Sequence, residues 1–285
     1  MKYSSAPAFR QALEDRLRSE KSPQKLPRLR KMIAFERFMA RLDGRWILKG
    51  GYALQLRTEK ARTTQDVDLL AQEIVEDQIV EELLEALHQD AGDYFDFIVE
   101  RSDLNLVAGS AIRFRVTSRV AGRIFERFHI DVGCGDPIVE AVEYLVPPNY
   151  LAFAGVDSPA IPCYPVSQHI AEKLHALVRL RSTENSRVKD FVDLLLFASM
   201  DTSLQADRLS AAIQAVFAMR GDAIPSQIDQ IPASWQSKYR RFAKDLGLPF
   251  TNFDEAIQAI QEFLNPVLQG IDNGVWNPED WEWQS

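Results

Sequence analysis

Disulfides, zinc clusters and membrane spans are the first things this sequence lacks. Its only cysteines are Cys134 and Cys163. Two thiols in 285 residues exclude a disulfide-stapled scaffold and point to a reducing compartment. Four scattered histidines, His88, His129, His169 and His175, form no zinc-binding spacing. Any metal is therefore expected to be a hard ion held by oxygen. No apolar run approaches the ~20 residues that span a bilayer. The opening Met1-Lys2-Tyr3-Ser4-Ser5 lacks the apolar core of a secretory leader. The expectation is a cytoplasmic protein with no membrane partner. What is present is a globular composition, 46% hydrophobic and 26% charged, sufficient for one large core or two modest ones.

The net charge of −8 hides an uneven distribution. Residues 1–45 carry twelve Lys or Arg against five Asp or Glu, whereas 254–285 carry seven acidic side chains and no Lys or Arg. A basic segment on an acidic chain still attracts phosphate locally, because salt screens charge beyond ~8–10 Å. The competing reading is a solvated helical face.

Periodicity predicts helices over 6–20 and 28–43, separated by a break from Ser22-Pro23 to Pro27. Trp46-Ile47-Leu48 reads as a short buried strand ended by Gly50-Gly51, with a helix through Tyr52–Leu56 behind it. A strand over 66–70, a helix over about 74–89 and strands near 94–101, 110–119 and 124–133 follow. The last two meet at a hairpin, Ala121-Gly122. Residues 146–166 are rich in proline and read as loop, and the pattern is helical from Val166 almost to the end. The fold class expected is mixed α/β (α+β): a domain with a mixed sheet over 1–160, then an all-helical domain over 161–285. The aromatic, acidic tail Trp276–Trp283 is expected to pack on the body.

Asp66 and Asp68 lie on one strand, and their spacing places both on the same face while Val67 and Leu69 enter the core. Two carboxylates about 6.5–7 Å apart repel unless a cation stands between them. Read alone, the pair fits an exposed strand face equally well. Two features add context. Gly50-Gly51 closes a strand-to-helix turn, where backbone N–H groups are available to phosphate; a tight turn needing positive φ explains it as well. Asp131 faces away from Phe128, Ile130 and Val132, and a third carboxylate would complete a site for one or two Mg²⁺ in phosphoryl transfer. In the helical half, Lys173 falls within the apolar stripe Val166, Ile170, Leu177, Leu180. Buried there it requires a partner; otherwise it snorkels to the surface. Asp190 and Asp193 fall roughly opposite the buried face of the next helix, beside Lys189, as a solvated charged face would place them.

The chain resembles the AbiEii/AbiGii toxin family of type IV toxin–antitoxin systems, within the DNA polymerase β-like nucleotidyltransferases. The residues that carry the resemblance are Leu48-Lys49-Gly50-Gly51-Tyr52-Ala53-Leu54 and Arg62-Thr63-Thr64-Gln65-Asp66-Val67-Asp68-Leu69, then Ala171-Glu172-Lys173-Leu174 and Arg187-Val188-Lys189-Asp190-Phe191-Val192-Asp193-Leu194. It also covers the segment from Phe217 and Arg220 to Pro266-Val267-Leu268. It implies a bilobal nucleotidyltransferase, a nucleoside triphosphate donor, Mg²⁺ (or Mn²⁺ in its place), transfer to an RNA acceptor at the tRNA 3′ end, and a cognate antitoxin. Gly50, Gly51, Thr64, Asp66, Asp68, Lys173 and Asp190 match family positions, with Asp131 in a shorter motif. The superfamily's Gly-Ser is Gly50-Gly51 here, so a phosphate-touching hydroxyl is absent and Thr64 is the substitute at hand.

Together these residues predict an inter-lobe cleft. Asp66, Asp68 and Asp131 are the expected metal ligands, and Gly50, Gly51, Thr64 and Lys173 the expected nucleotide contacts. Lys173 neutralises the leaving pyrophosphate. Asp131 ligates a second ion or helps deprotonate the acceptor hydroxyl, and Asp190 orients Lys173 or contacts the donor. Arg28, Arg30 and Lys31 are expected to guide RNA. The alternatives are transfer to a protein hydroxyl or a small molecule, and a catalytically silent RNA- or protein-binding module.

Overall fold

The structure is a computed structural model, and it describes residues 1–19, 25–58, 60–102, 111–179, 187–229 and 231–284. The Ser22-Pro23 break, and Glu20, Ser110, Leu180 and Ser186 at expected element ends, lie outside the described residues. The chain forms two compact units. One comprises Met1–Arg57, Thr63–Gly135 and Glu143–Cys163; the other comprises Thr58–Arg62, Asp136–Val142 and Tyr164–Ser285.

The first unit is built on a seven-stranded mixed sheet. Its strands are β1 (Trp46–Lys49), β2 (Asp66–Ala71), β3 (Phe95–Arg101), β4 (Ile112–Val120), β5 (Arg123–Cys134), β6 (Glu143–Leu145) and β7 (Ile161–Cys163), in the order β3-β4-β5-β2-β1-β7-β6. β2 runs antiparallel to β1 and parallel to β5. Ala121 and Gly122, both at positive φ (50° and 71°), make the tight β4–β5 turn. One face of the sheet presents Leu48, Val67, Leu69, Phe114, Val116, Ile130 and Val132, all buried.

Among the described residues, this unit also holds the α-helices α1 (Ala6–Arg18), α2 (Lys25–Met39), α3 (Gly50–Arg57) and α4 (Ile79–Leu87). Phe9, Leu13 and Leu17, four residues apart, are the buried stripe of α1. Phe35 and Phe38 of α2 stand edge-on to Phe128 of β5, with centroids 4.9 and 5.7 Å away. Each such ring, fully buried, contributes about 2–3 kcal/mol. Pro27 does not break the chain here. It lies in the first turn of α2, where no intrahelical partner awaits its missing N–H.

The basic reading of residues 1–45 needs correction at Arg37 in α2 and at Arg41 just beyond it. Arg37 and Arg41 are buried, and both reach Asp93, itself fully buried. Arg41 donates to both Asp93 oxygens (3.0 and 2.7 Å) and to the Phe95 carbonyl (2.6 Å). They anchor the core and are unavailable to phosphate. The proline-rich stretch also departs from expectation, because β7 within it pairs with β1, and β6 just before it pairs with β7, so that the sheet extends past β1.

The second unit holds α5 (Val166–Val178), α6 (Val188–Ala198), α7 (Ala206–Arg220), α8 (Gln236–Leu246) and α9 (Phe253–Leu268), then a hairpin of β8 (Val275–Asn277) and β9 (Glu282–Gln284). The aromatic tail packs on its own helices, as expected. Trp276 donates to Ala198 O, Trp281 to Ala259 O and Trp283 to Phe263 O. Among the described residues, no helix is long and apolar enough to cross a membrane.

Candidate active site

β2 delivers Asp66 and Asp68 to one face of the sheet because Val67 and Leu69, which alternate with them, are fixed in the core on the other. In register, Asp68 pairs with Lys49 of β1 on one side and Asp131 of β5 on the other, and Asp131 pairs with Arg113 of β4. Paired residues share a face. The sheet therefore carries a row Lys49–Asp68–Asp131–Arg113, cation, anion, anion, cation. A second row runs Asp66–His129–Arg115–Glu100. His129 Nδ1 lies 3.7 Å from Asp66 Oδ1.

The pair Gly50-Gly51 opens α3 immediately after β1. Gly50 has φ +66°, and a Cβ there would stand 2.7 Å from Asp68 Cγ and 2.9 Å from Asp68 Cβ. Both conformation and close approach require glycine. Thr64, buried, donates from Oγ1 to the Asp66 carbonyl at 3.2 Å. Its hydroxyl is thus tied to the strand that carries the carboxylates.

Asp131 is on the expected face but is gripped by Arg113. Arg113 Nε donates to Asp131 Oδ1 at 2.7 Å and Nη2 to Oδ2 at 2.6 Å. This bond, aided by the fields of Asp131, Asp66 and Asp68, holds the guanidinium even more firmly charged than usual. Among the described residues, no group of three or more His, Cys, Asp or Glu stands arranged to hold a metal ion. The donors that are present still suit one: Asp66 and Asp68 are hard oxygen ligands on one face, half exposed, with the Gly50 backbone closing over Asp68.

In the second unit, α5 and α6 bring Lys173, Asp190 and Asp193 together. Lys173 is only 8% exposed, so it does not snorkel. Its Nζ donates to Asp193 Oδ2 at 2.7 Å and to Asp190 Oδ1 at 3.3 Å. Burial opposes the ammonium charge, but Asp193 and Asp190 outweigh it and raise the lysine above its ordinary pKa. Arg62 donates to both Asp193 oxygens at 3.2 and 3.0 Å, and Arg187 reaches Asp190 at 3.5 Å. Asp193 is fully buried. It is the centre of this cluster, not part of a solvated face.

Arg28, Arg30 and Lys31 all have partners inside the first unit. Arg28 donates to the Gln55 side-chain oxygen at 3.1 and 3.2 Å with that amide turned to accept. Arg30 bonds Glu14 and the Phe125 carbonyl, both at 2.8 Å, over the Phe125 ring. Lys31 donates to Gln65. Of the side chains gathered around the expected site residues, sequence alone gave no role to Arg113 or Arg62 and set Asp193 on a solvated face.

Comparison with known proteins agrees with this architecture. Residues 35–259 match the family described as nucleotidyl transferase AbiEii toxin, type IV TA system. MenT4, a nucleotidyltransferase toxin from Mycobacterium tuberculosis, is similar in fold. The likeness covers 98% of this chain and 93% of that one, at 18% identity and a TM-score of 0.55. JHP933 from Helicobacter pylori is 17% identical over 86% of this chain and 95% of its own, with a TM-score of 0.42. No curated protein sequence matches the chain. The family match spans most of the chain and includes both carboxylates of β2 and the lysine of α5, and so the chain belongs to the AbiEii nucleotidyl transferase toxins of type IV toxin–antitoxin systems.

Proposed function

We propose that this toxin transfers a nucleotide from a nucleoside triphosphate to the 3′ end of a tRNA, with Mg²⁺ held by Asp66 and Asp68. The observation that carries the reading is the carboxylate pair on the exposed face of β2, closed on one side by a glycine that no other residue replaces without collision. A bound Mg²⁺ supplies charge neutralisation for the donor's phosphates and for the oxygens that attack and leave. The chain's own residues do the rest. Gly50 and Gly51 at the start of α3 offer backbone N–H groups to the triphosphate. Lys173, kept charged by Asp193 and Asp190, neutralises the leaving pyrophosphate, and Asp190 orients it. Thr64 braces the strand beneath the donor site.

Membership of a type IV toxin–antitoxin family implies an antitoxin partner and a triphosphate substrate. The RNA acceptor is supported by the positive excess of residues 1–45, although the pairing of Arg28, Arg30, Lys31, Arg37 and Arg41 leaves less of that charge for RNA than the sequence suggests. The test is incubation with total RNA and each labelled triphosphate in turn. The expected result is label on tRNA with one preferred triphosphate. Asp66→Ala and Asp68→Ala should abolish labelling while the melting temperature stays within a few degrees, since neither side chain supports the core. Near wild-type activity in either variant would remove the metal site. Label on protein alone would remove the RNA acceptor.

A further inference from the structure

The grip of Arg113 on Asp131 bears on how this face receives a divalent ion. β4 and β5 are already joined by nine paired residues, so the sheet does not need this ion pair for cohesion. Both side chains are partly open to solvent, Arg113 at 37% and Asp131 at 23%. An ion pair so exposed is worth about 1 kcal/mol or less, and a competing cation can displace it. The arginine is also the cationic end of a row whose anions are Asp68 and Asp131, so it stands where it partly neutralises the face that a metal would use.

We propose that Arg113 is the resident counter-cation of this carboxylate face: it holds both oxygens of Asp131, and a divalent ion must displace it before Asp131 becomes a third ligand. The proposal rests on the reading of Asp66 and Asp68 as metal ligands. Arg113 is a positioning residue. It sets how many carboxylates are available and therefore how tightly the ion is held. Its own partner after displacement is an anion, and the triphosphate offers one that a guanidinium meets with two parallel hydrogen bonds.

The test is Mn²⁺ binding to the full chain without nucleotide, followed by the loss of the free-ion electron paramagnetic resonance signal. Arg113→Met should tighten Mn²⁺ by about tenfold, the order expected when one neighbouring unit charge is removed in a water-exposed setting. Adding Asp131→Asn to that variant should cancel the gain. Arg113→Lys, which keeps the charge without the fork, should fall between the two, and it carries the test if the methionine variant does not fold. Wild-type binding with no tightening in Arg113→Met or Arg113→Lys would overturn the role of Arg113 alone. No Mn²⁺ binding by the wild type or any variant would overturn the metal reading of Asp66 and Asp68, and this inference with it.

Discussion

Replacing Glu36 by Gln should remove a pH dependence from the stability of the sheet unit. Glu36 lies on α2 with no exposed surface. Its Oε1 accepts from Ser158 Oγ at 3.0 Å, and its Oε2 has no hydrogen-bond partner among the described residues. Burial raises its pKa from 4.5 to about 7, against the pull of Arg37 and the Ser158 hydrogen bond and with a push from Asp93. The folded protein therefore keeps the Glu36 proton between pH 4.5 and 7, where the unfolded chain has lost it. A raised carboxyl pKa stabilises the fold fully below the lower value, and that contribution fades as pH rises through the window. At 1.36 kcal/mol per unit, the difference amounts to about 3 kcal/mol, to order of magnitude. Glutamine keeps the acceptor for Ser158 and carries no proton to lose. Its stability relative to wild type, from urea unfolding at pH 4.5, 5.5, 6.5 and 7.5, should rise across the series by about 3 kcal/mol. The comparison cancels the carboxylates common to both proteins. A difference that stays constant with pH would refute the reasoning, because Glu36 would then titrate alike in both states.

Gly50→Ala should lose about 1 kcal/mol from its positive φ alone and more from the collision with Asp68, so triphosphate labelling should fall further than melting temperature; an unchanged rate would show that Asp68 need not hold its place. Lys173→Ala should cost on the order of 100-fold in rate, and Lys173→Arg should recover only part of it because a guanidinium's planar fork differs in shape and reach from a compact ammonium; full recovery would return Lys173 to a merely structural charge. Arg28, Arg30 and Lys31 changed together to Gln should flatten the salt dependence of RNA binding by up to ~0.9 for each phosphate no longer neutralised, and should also lower stability because Arg30 secures Glu14 and Phe125; RNA affinity unaltered across a salt titration would exclude these side chains from the interface.

The parts of the site legible in the sequence were those set by one element's own period. Alternation placed Asp66 and Asp68 on one face of β2, and helical spacing placed Lys173 inside the apolar stripe of α5. What depended on a partner element was not visible. Asp193 is solvated or buried according to whether Lys173 and Arg62 reach it, and no spacing within α6 reports that. β6 and β7 are three residues each, and proline-rich sequence around such short strands reads as loop until β1 offers an edge. Arg113 was hidden by a bulge. A regular ladder from the Ala121-Gly122 turn would set it opposite Ile130; the shift at Ser118/Arg119 sets it opposite Asp131. The signal existed in parity. Ile112, Phe114 and Val116 face inward with Phe128, Ile130 and Val132, and those two sets share a face only if one extra residue enters β5.

That same registration makes the site hard to damage by sliding and easy to damage by repacking. A one-residue slip of β2 would bury Asp66 and Asp68 and expose Val67 and Leu69, so partially active, misregistered forms are suppressed by the full cost of burying two carboxylates. Selection for a folded sheet thereby preserves the reactive face without acting on it. Within this sheet, inactivating changes should then be found in two places only distantly related in chemistry: the charged rows themselves, and the apolar residues behind them, whose substitution disarms the site by letting the strand move.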